Sequence, residues 1–194
     1  KLKSTKNIKS SGTDRVKTIK PISFNPDDTV KELHKGLRDI SLNNLNGYKN
    51  VLKLIQNTYD TNKMTGMIVG NLWKNVPSDK QNEMKLVFEE YIAKNYIKRF
   101  RKMKNVDFKE LETTKINQNY TMVKTILKIE DKENIKIDYL LLKKQSGWKI
   151  FDILLAGSVS EIATKKSEFG SFTKGKTIDK LIEALRNKNL TILE

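Results

Sequence analysis

Three apolar segments, YTMVKTILKI at 120–129, IKIDYLLLKK at 135–144 and WKIFDILLAG at 148–157, decide the fold of this chain. Each segment is rich in β-branched or aromatic residues with a period of two, which is typical of β-strands. Only short polar connections, at 131–134 and 145–147, separate them. Strands joined by such short connections lie side by side and antiparallel, so the sequence predicts a β-meander.

The sequence on both sides of this meander predicts helices. A weaker strand pattern at 106–116 suggests a fourth strand, and upstream of it apolar residues recur every three or four positions. Capping signals mark several helix starts, because side chains at these positions can bond the free amides of a first turn. We expect helices at 29–40 with a capping box from Thr29, at 48–59, at 62–73, at 78–103 with a capping box from Ser78, at 159–169, and at 178–185 with a cap from Thr177.

The predicted strands are apolar on both faces. In the segment 135–144, Ile137 and Tyr139 point to one side and Leu140 to the other. In the segment 148–157 the alternation groups Trp148, Ile150 and Leu154 against Phe151, Ile153 and Leu155. A strand with one solvated face alternates more cleanly, so either helices cover both faces or the sheet curves around an apolar hollow. An ordinary filled core stays open as an alternative, since bulky aromatic residues between a sheet and a helix are core in most proteins.

We therefore expect an α+β fold class, a curved antiparallel β-meander of about four strands covered by several helices. N-terminal helices precede the sheet and C-terminal helices follow it. Residues 1–28 carry no helical or strand period and predict a flexible basic leader, and residues 29–194 predict a single domain. The chain begins with Lys1 and its first 20 residues contain no apolar segment of a secretory signal, so we expect any export signal to have been removed.

The composition excludes several classes of protein. Among 194 residues, 38 Lys and Arg against 23 Asp and Glu give a net charge of +15, with one His and no Cys. Disulfides, thiolate metal sites and a cysteine nucleophile are excluded, and His34 alone leaves little for a zinc site or a His-based triad. The basic residues are mostly Lys without stacking aromatics or a recognition helix, which disfavours nucleic-acid binding. No apolar run approaches the roughly 18 residues of a membrane span.

No catalytic signature is found in the sequence. Asp152 stands between apolar residues in a predicted strand and must find a partner or shift its pKa. Structural hydrogen bonding is the favoured role for this carboxylate, and catalysis is the alternative. His34 has no Ser or Cys motif near it. We expect no enzyme activity, no metal and no cofactor.

The segment 147–160, GWKIFDILLAGSVS, matches a Gly-Trp-Lys/Arg-x-x-Asp-Val-x-x-x-Gly-x-Ser pattern that continues through Phe169. It resembles the MlaC family, the toluene-tolerance auxiliary proteins of bacterial ABC lipid transport, and within it the hopanoid-transport-associated HpnM branch. Upstream matches lie in the same order, and the similarity spans residues 30–188. The upstream matches are Gly70-x-x-Trp73, Phe88, Tyr96, Val123-x-Thr125 and Ile137-x-Tyr139.

The resemblance implies a periplasmic carrier that holds the acyl chains of a phospholipid or related lipid in an apolar pocket. Its implied partners are an inner-membrane MCE-domain protein of an ABC transporter and an outer-membrane lipoprotein complex. The family's usual paired Arg is replaced here by Lys165 and Lys166, which we expect at the rim or head group. The residues expected to contact lipid tails between the long helix and the sheet are Phe88, Tyr91, Ile92, Tyr96, Val123, Ile137, Tyr139, Trp148 and Ile150.

Two other classes of function stay open at this stage. A nuclear-transport-factor-like cone domain has a similar outline of helices and curved sheet, and there Asp152 would be an acid in an apolar pocket that binds a small ligand. A basic nucleic-acid binder is the weaker alternative, and it predicts a steep dependence of binding on salt.

Overall fold

The computed structural model describes residues 25–45, 47–174 and 177–194. Most of the predicted leader falls outside these residues. The described part is α+β, as predicted, and its helices flank an open antiparallel sheet. The elements are α1 (Pro26–Ser41), α2 (Tyr48–Thr58), α3 (Thr61–Val69), a 3-10 helix (Gly70–Asn75), α4 (Ser78–Phe100), β1 (Asp107–Lys115), β2 (Tyr120–Lys128), β3 (Ile135–Lys144), β4 (Gly147–Leu155), β5 (Val159–Ser160), α5 (Glu161–Thr173) and α6 (Asp179–Thr191).

The sheet confirms the predicted meander. Its strands lie in the order β1-β2-β3-β4-β5, and every neighbouring pair is antiparallel. The weak pattern at 106–116 forms β1. The predicted helix at 159–169 begins two residues later, because Val159 and Ser160 pair with Leu155 and Leu154 as β5 before the helix starts.

One face of the sheet, the inner face, packs towards α1 and α2. It carries the buried alternate residues of the central strands, among them Val123 on β2 and Tyr139 on β3. The predicted parity of these two strands is therefore correct. On the outer face, Leu140 and Leu142 of β3 are partly exposed.

A β-bulge changes the parity of β4. Leu141 is opposite Ile150 and Leu140 is opposite Asp152, so Phe151 is an extra residue without a partner on β3. An extra residue moves every later side chain to the other face. Beyond the bulge, Ile153 and Leu155 therefore lie on the inner face with Ile150, and Leu154 lies on the outer face. The predicted grouping of Leu154 with Trp148 and Ile150 was wrong for this reason.

Helix starts differ from the predicted capping boxes. In α1 the N-cap is Asn25, and Thr29 lies inside the helix, where its hydroxyl donates a hydrogen bond to the carbonyl of Trp148 at 2.9 Å. In α4 the Gln81 amide reaches back to the carbonyl oxygens of Trp73 and Val76, both at 3.1 Å. Thr177 does not cap α6. In α1, therefore, a tertiary partner has taken the hydroxyl that the local motif assigned to the helix end.

The helices differ in how closely they pack on the sheet. Helices α1 and α2 both contact β4, and the chain after α2 bonds the edge of β4 through the Asp60 amide and the Ile150 carbonyl at 2.8 Å. Helix α4 lies mainly against α1, α2, α3 and α6, and it reaches the sheet where the Phe100 ring stacks on Phe108 of β1 at 6.3 Å between centroids. The Lys94 ammonium and the Asn189 side chain fasten α4 to α6 through backbone carbonyls at 2.7 and 3.0 Å. The C-terminal half of α4 is thus held beside the sheet with space beneath it.

Candidate functional site

Two adjoining cavities lie between α4, α5 and the inner face of the sheet. The first, the helical cavity, has a volume of about 80 Å³ and is partly open to solvent. It is lined by Tyr59, Met64, Phe88, Tyr91, Ile92, Asn95, Tyr96, Arg99, Ile153, Glu161, Ile162 and Lys165. The second, the sheet cavity, has a volume of about 320 Å³ and is also partly open. It is lined by Leu37, Tyr96, Arg99, Phe100, Met103, Phe108, Leu127, Ile135, Ile137, Tyr139, Ile153, Leu155, Ala156 and Glu161.

The two cavities have four lining residues in common, which we call the shared wall: Tyr96, Arg99, Ile153 and Glu161. The sheet cavity is within the roughly 300–1,000 Å³ range of small-molecule sites and the helical cavity is smaller. Each is lined mainly by apolar and aromatic side chains, as such sites are. The arrangement therefore offers two apolar spaces that meet at one polar boundary.

Six of the predicted lipid-contacting residues lie in these walls. Four of them, on successive turns of α4, line the helical cavity: Phe88, Tyr91, Ile92 and Tyr96. Ile137 and Tyr139 on β3 line the sheet cavity together with Tyr96. The long aromatic stripe of α4 thus lies beside the hollow, as the sequence indicated.

The other three predicted residues line neither cavity. Val123 and Ile150 are fully buried in the packed core, and Trp148 is partly buried where α1 crosses the start of β4. Ile153 and Leu155 take their place in the wall, because the bulge at Phe151 turns them inward. Sequence reasoning missed this pair, and the one available signal was the acid Asp152 that interrupts the apolar run.

A cluster of hydroxyl groups crosses the site. The hydroxyls of Tyr59 and Tyr96 are hydrogen-bonded to each other, and the Tyr139 hydroxyl bonds Nε2 of His34 at 3.0 Å. Burial raises the pKa of Tyr96 to about 12 and holds the pKa of Tyr59 and Tyr139 well above the ordinary value. All three phenols are therefore neutral at physiological pH and act as hydrogen-bonding groups in an apolar wall. Sequence reasoning did not single out Tyr59.

His34 is a packed residue of the core. Its ring stacks on Phe108 at 3.9 Å between centroids and is fully buried. Burial, with the nearby Arg38 as a second cause, lowers the pKa of His34 to about 3. Nδ1 lies 3.5 Å from a carboxylate oxygen of Glu110, a contact that would be an ion pair only with a protonated ring. Because burial outweighs this attraction, the imidazole is neutral near pH 7.

The two lysines predicted at the rim have different positions. Lys165 lines the helical cavity with its side chain 18% exposed, pairs with Glu168 at 2.7 Å and stands 5.4 Å from the ring centre of Tyr91. Burial opposes its charge, but hydrogen bonds to Glu168 and Tyr91 prevail, so its pKa is raised. Lys166 is exposed and lines neither cavity.

Asp152 is a structural anchor. One carboxylate oxygen accepts hydrogen bonds from the amides of Ile153 and Ile162 at 2.8 and 3.1 Å, and the other accepts the Ser160 hydroxyl at 2.6 Å. The predicted structural hydrogen bonding of Asp152 is confirmed. The carboxylate ties the start of α5 to β4 and lines neither cavity, so the small-ligand alternative finds no support in its position.

The described residues contain neither a metal-binding cluster nor a candidate membrane-spanning helix. Within residues 25–45, 47–174 and 177–194, no three His, Asp or Glu side chains are grouped so that they could hold a metal ion. Over the same described ranges, no helix combines the length and the apolar character of a transmembrane segment.

A sheet packed by helices, with two apolar cavities that meet at a polar boundary, is typical of a binding protein for apolar ligands. Comparison with known families agrees with this class: the family model described as MlaC protein matches residues 26–187. The chain therefore belongs to the MlaC family, as its sequence pattern suggested. The narrower resemblance to the HpnM branch stays a prediction.

A solved structure has a similar fold. The phospholipid-binding protein from Ralstonia solanacearum, determined in complex with a phospholipid, matches with a TM-score of 0.71 over 87% of this chain and 96% of its own, at 17% sequence identity. No curated protein sequence matches this chain significantly.

Proposed function

We propose that this protein is a phospholipid carrier that places one acyl chain in the helical cavity and the other in the sheet cavity. The observation that carries the proposal is the pairing of two apolar cavities along one shared wall. A diacyl lipid has the same layout, two apolar tails joined at one polar group. The phospholipid in the similar Ralstonia protein and the membership of the MlaC family both support it.

The energetics favour an enclosed site for such a ligand. Each buried methylene contributes about 0.8 kcal/mol, so the roughly 30 methylenes of a two-chain lipid make its transfer into water cost on the order of 20 kcal/mol. A carrier must cover both tails and leave the charged group at the surface, because burying an unpaired phosphate is costly. The apolar walls of the cavities would cover the tails, and their open side would leave the charged group at the surface. The proposed tail contacts are therefore the cavity-lining residues, with Ile153 and Leu155 in place of Val123, Trp148 and Ile150.

Within the cell we propose the role that the family resemblance implies. The protein would work in the periplasm and shuttle phospholipid between an outer-membrane lipoprotein complex and an inner-membrane ABC transporter that carries an MCE-domain protein. Binding and release of a lipid involve no bond cleavage, so the proposed activity is transport without catalysis and without a cofactor. The net charge of +15 would favour approach to anionic membrane surfaces.

The test compares two neighbouring residues on opposite faces of β4. Ile153→Trp adds bulk to the shared wall, and Leu154→Trp adds the same bulk on the outer face, outside both cavities. Each purified protein is extracted with organic solvent, and the lipid is identified and quantified by mass spectrometry. We expect about one phospholipid per chain in the wild type and in Leu154→Trp, and a severalfold loss in Ile153→Trp.

Circular dichroism and thermal unfolding serve to check that both variants fold. Wild-type protein that carries no lipid, and takes none up from vesicles, would overturn the proposal. Equal lipid in the two Trp variants would overturn the placement of the tails in these cavities.

A further inference from the structure

The shared wall brings two opposite charges to the place where the cavities meet. Arg99 is on the last turn of α4 and Glu161 is on the first turn of α5, and each lines both cavities. They are the only charged residues of the sheet cavity wall among the residues that the structure describes. Tyr96 lines both cavities with them, and its pKa, which burial raises, is also lowered by Arg99 and raised by Glu161.

Neither charge is engaged elsewhere in the described part of the chain. Arg99 is exposed and has no carboxylate within 4.0 Å among residues 25–45, 47–174 and 177–194, and over the same ranges Glu161 has no cation within that distance. The other cation of the helical cavity differs, because Lys165 is paired with Glu168. A charged ligand group at the junction would therefore meet Arg99 and Glu161 before any other unpaired charge of the wall.

We propose that Arg99 and Glu161 recognise a zwitterionic phosphoethanolamine head group, with Arg99 on the phosphate and Glu161 on the ammonium. The inference rests on the proposed function, since the two tails must diverge from this wall to place the head group there. A guanidinium presents a planar fork of donors that matches two phosphate oxygens. A carboxylate accepts charge-assisted hydrogen bonds from a primary ammonium, and a head group without an ammonium lacks this attraction. The site thus selects phosphatidylethanolamine over phosphatidylglycerol.

The experiment loads delipidated full-length protein from vesicles that contain equal amounts of phosphatidylethanolamine and phosphatidylglycerol, each in excess over the protein. Native mass spectrometry measures the total lipid bound and the ratio of the two lipids. We expect the wild type to enrich phosphatidylethanolamine roughly two- to fivefold, the ratio that one exposed charge pair supports. Glu161→Gln is expected to bring the ratio to about one with total loading unchanged. Arg99→Gln is expected to lower the loading of both lipids by a similar factor, because both contain a phosphate.

Two matched controls separate these effects from loss of surface charge. Lys98→Gln removes a cation from the same last turn of α4 without touching a cavity, and Glu183→Gln removes an exposed acid from α6. Both are expected to behave as the wild type. Wild-type protein that loads the two lipids equally, or Glu161→Gln that keeps the wild-type ratio, would overturn the inference while the carrier function stands. Wild-type protein that loads neither lipid would instead overturn the carrier function itself.

Discussion

The inner face of the sheet has a packed end and a hollow end. At the packed end, Leu141 and Ile150 are opposite each other and have no exposed surface beneath α1 and α2. At the hollow end, Ile137 and Leu155 are also opposite each other, but they line the sheet cavity. Both ends consist of aliphatic side chains on the same strands. What differs is the helix above them. At the packed end α1 and α2 pack on β4, whereas at the hollow end the C-terminal half of α4 reaches β1 through the stacked rings of Phe100 and Phe108 and borders the sheet cavity.

This difference indicates that the two ends of the sheet serve different purposes, stability at the packed end and ligand binding at the hollow end. The packed end buries apolar surface on folding, which stabilises the chain. The hollow end leaves apolar surface for a ligand, so its contribution to stability is expected to come largely when the ligand is bound. Substitutions of equal size at the two ends should therefore change different measurements.

The largest expected effect is on stability at the packed end. Leu141→Ala removes a fully buried side chain, and large-to-small changes at such sites cost about 2–5 kcal/mol of unfolding free energy. Leu155→Ala removes the same atoms from the cavity wall, where no tight packing is lost, and we expect it to cost less than about 1 kcal/mol in lipid-free protein. Urea unfolding of both delipidated variants measures the difference. Equal losses of stability would show that the hollow end is packed as tightly as the other end.

The next effect is a pH dependence that His34 introduces. The pKa of His34 is about 3 in the folded chain and about 6.5 when unfolded. Between these values only the unfolded state binds the proton, so stability is unaffected above about pH 6.5 and falls as the pH decreases towards 3. The slope is up to about 1.4 kcal/mol per pH unit.

Unfolding of the wild type and of His34→Gln at pH 7, 6, 5 and 4 measures this slope. The Gln variant lacks the titrating group but keeps a donor for the Tyr139 hydroxyl, so its stability should depend less on pH over this range. Parallel pH profiles for the two proteins would contradict the buried neutral imidazole.

The smallest effect concerns the anchor of the hollow end. Asp152→Asn keeps the size of the side chain but replaces charge-assisted hydrogen bonds to Ser160 and Ile162 by weaker ones. We expect a loss of about 1 kcal/mol, because hydrogen bonds to a charged group contribute more than neutral ones. Asp138→Asn, on the same outer face of the neighbouring strand, is the control and should be within about 0.5 kcal/mol of the wild type. Thermal unfolding compares the Asp152→Asn and Asp138→Asn variants. Equal melting temperatures for the two would contradict the anchoring role of Asp152.

The sequence by itself determined the class of fold and the order of its elements. Alternation with a period of two is a local property, so it predicted the meander and the inward-facing residues of β2 and β3, such as Val123 and Tyr139. The spacing of three and four predicted the long helix and its aromatic stripe. Both patterns repeat over many residues, and each repeat depends only on the chain geometry nearby.

Only the tertiary structure decided where the apolar face is covered and where it is open. The bulge at Phe151, which turned Ile153 and Leu155 inward, depends on pairing with β3 and on the contacts of Asp152 with the start of α5. Arg99 and Glu161 are 62 positions apart in the sequence. They lie in one wall only because the end of α4 and the start of α5 are beside the same cavities. No local pattern encodes such distances, because the space between two elements depends on the packing of every element around them.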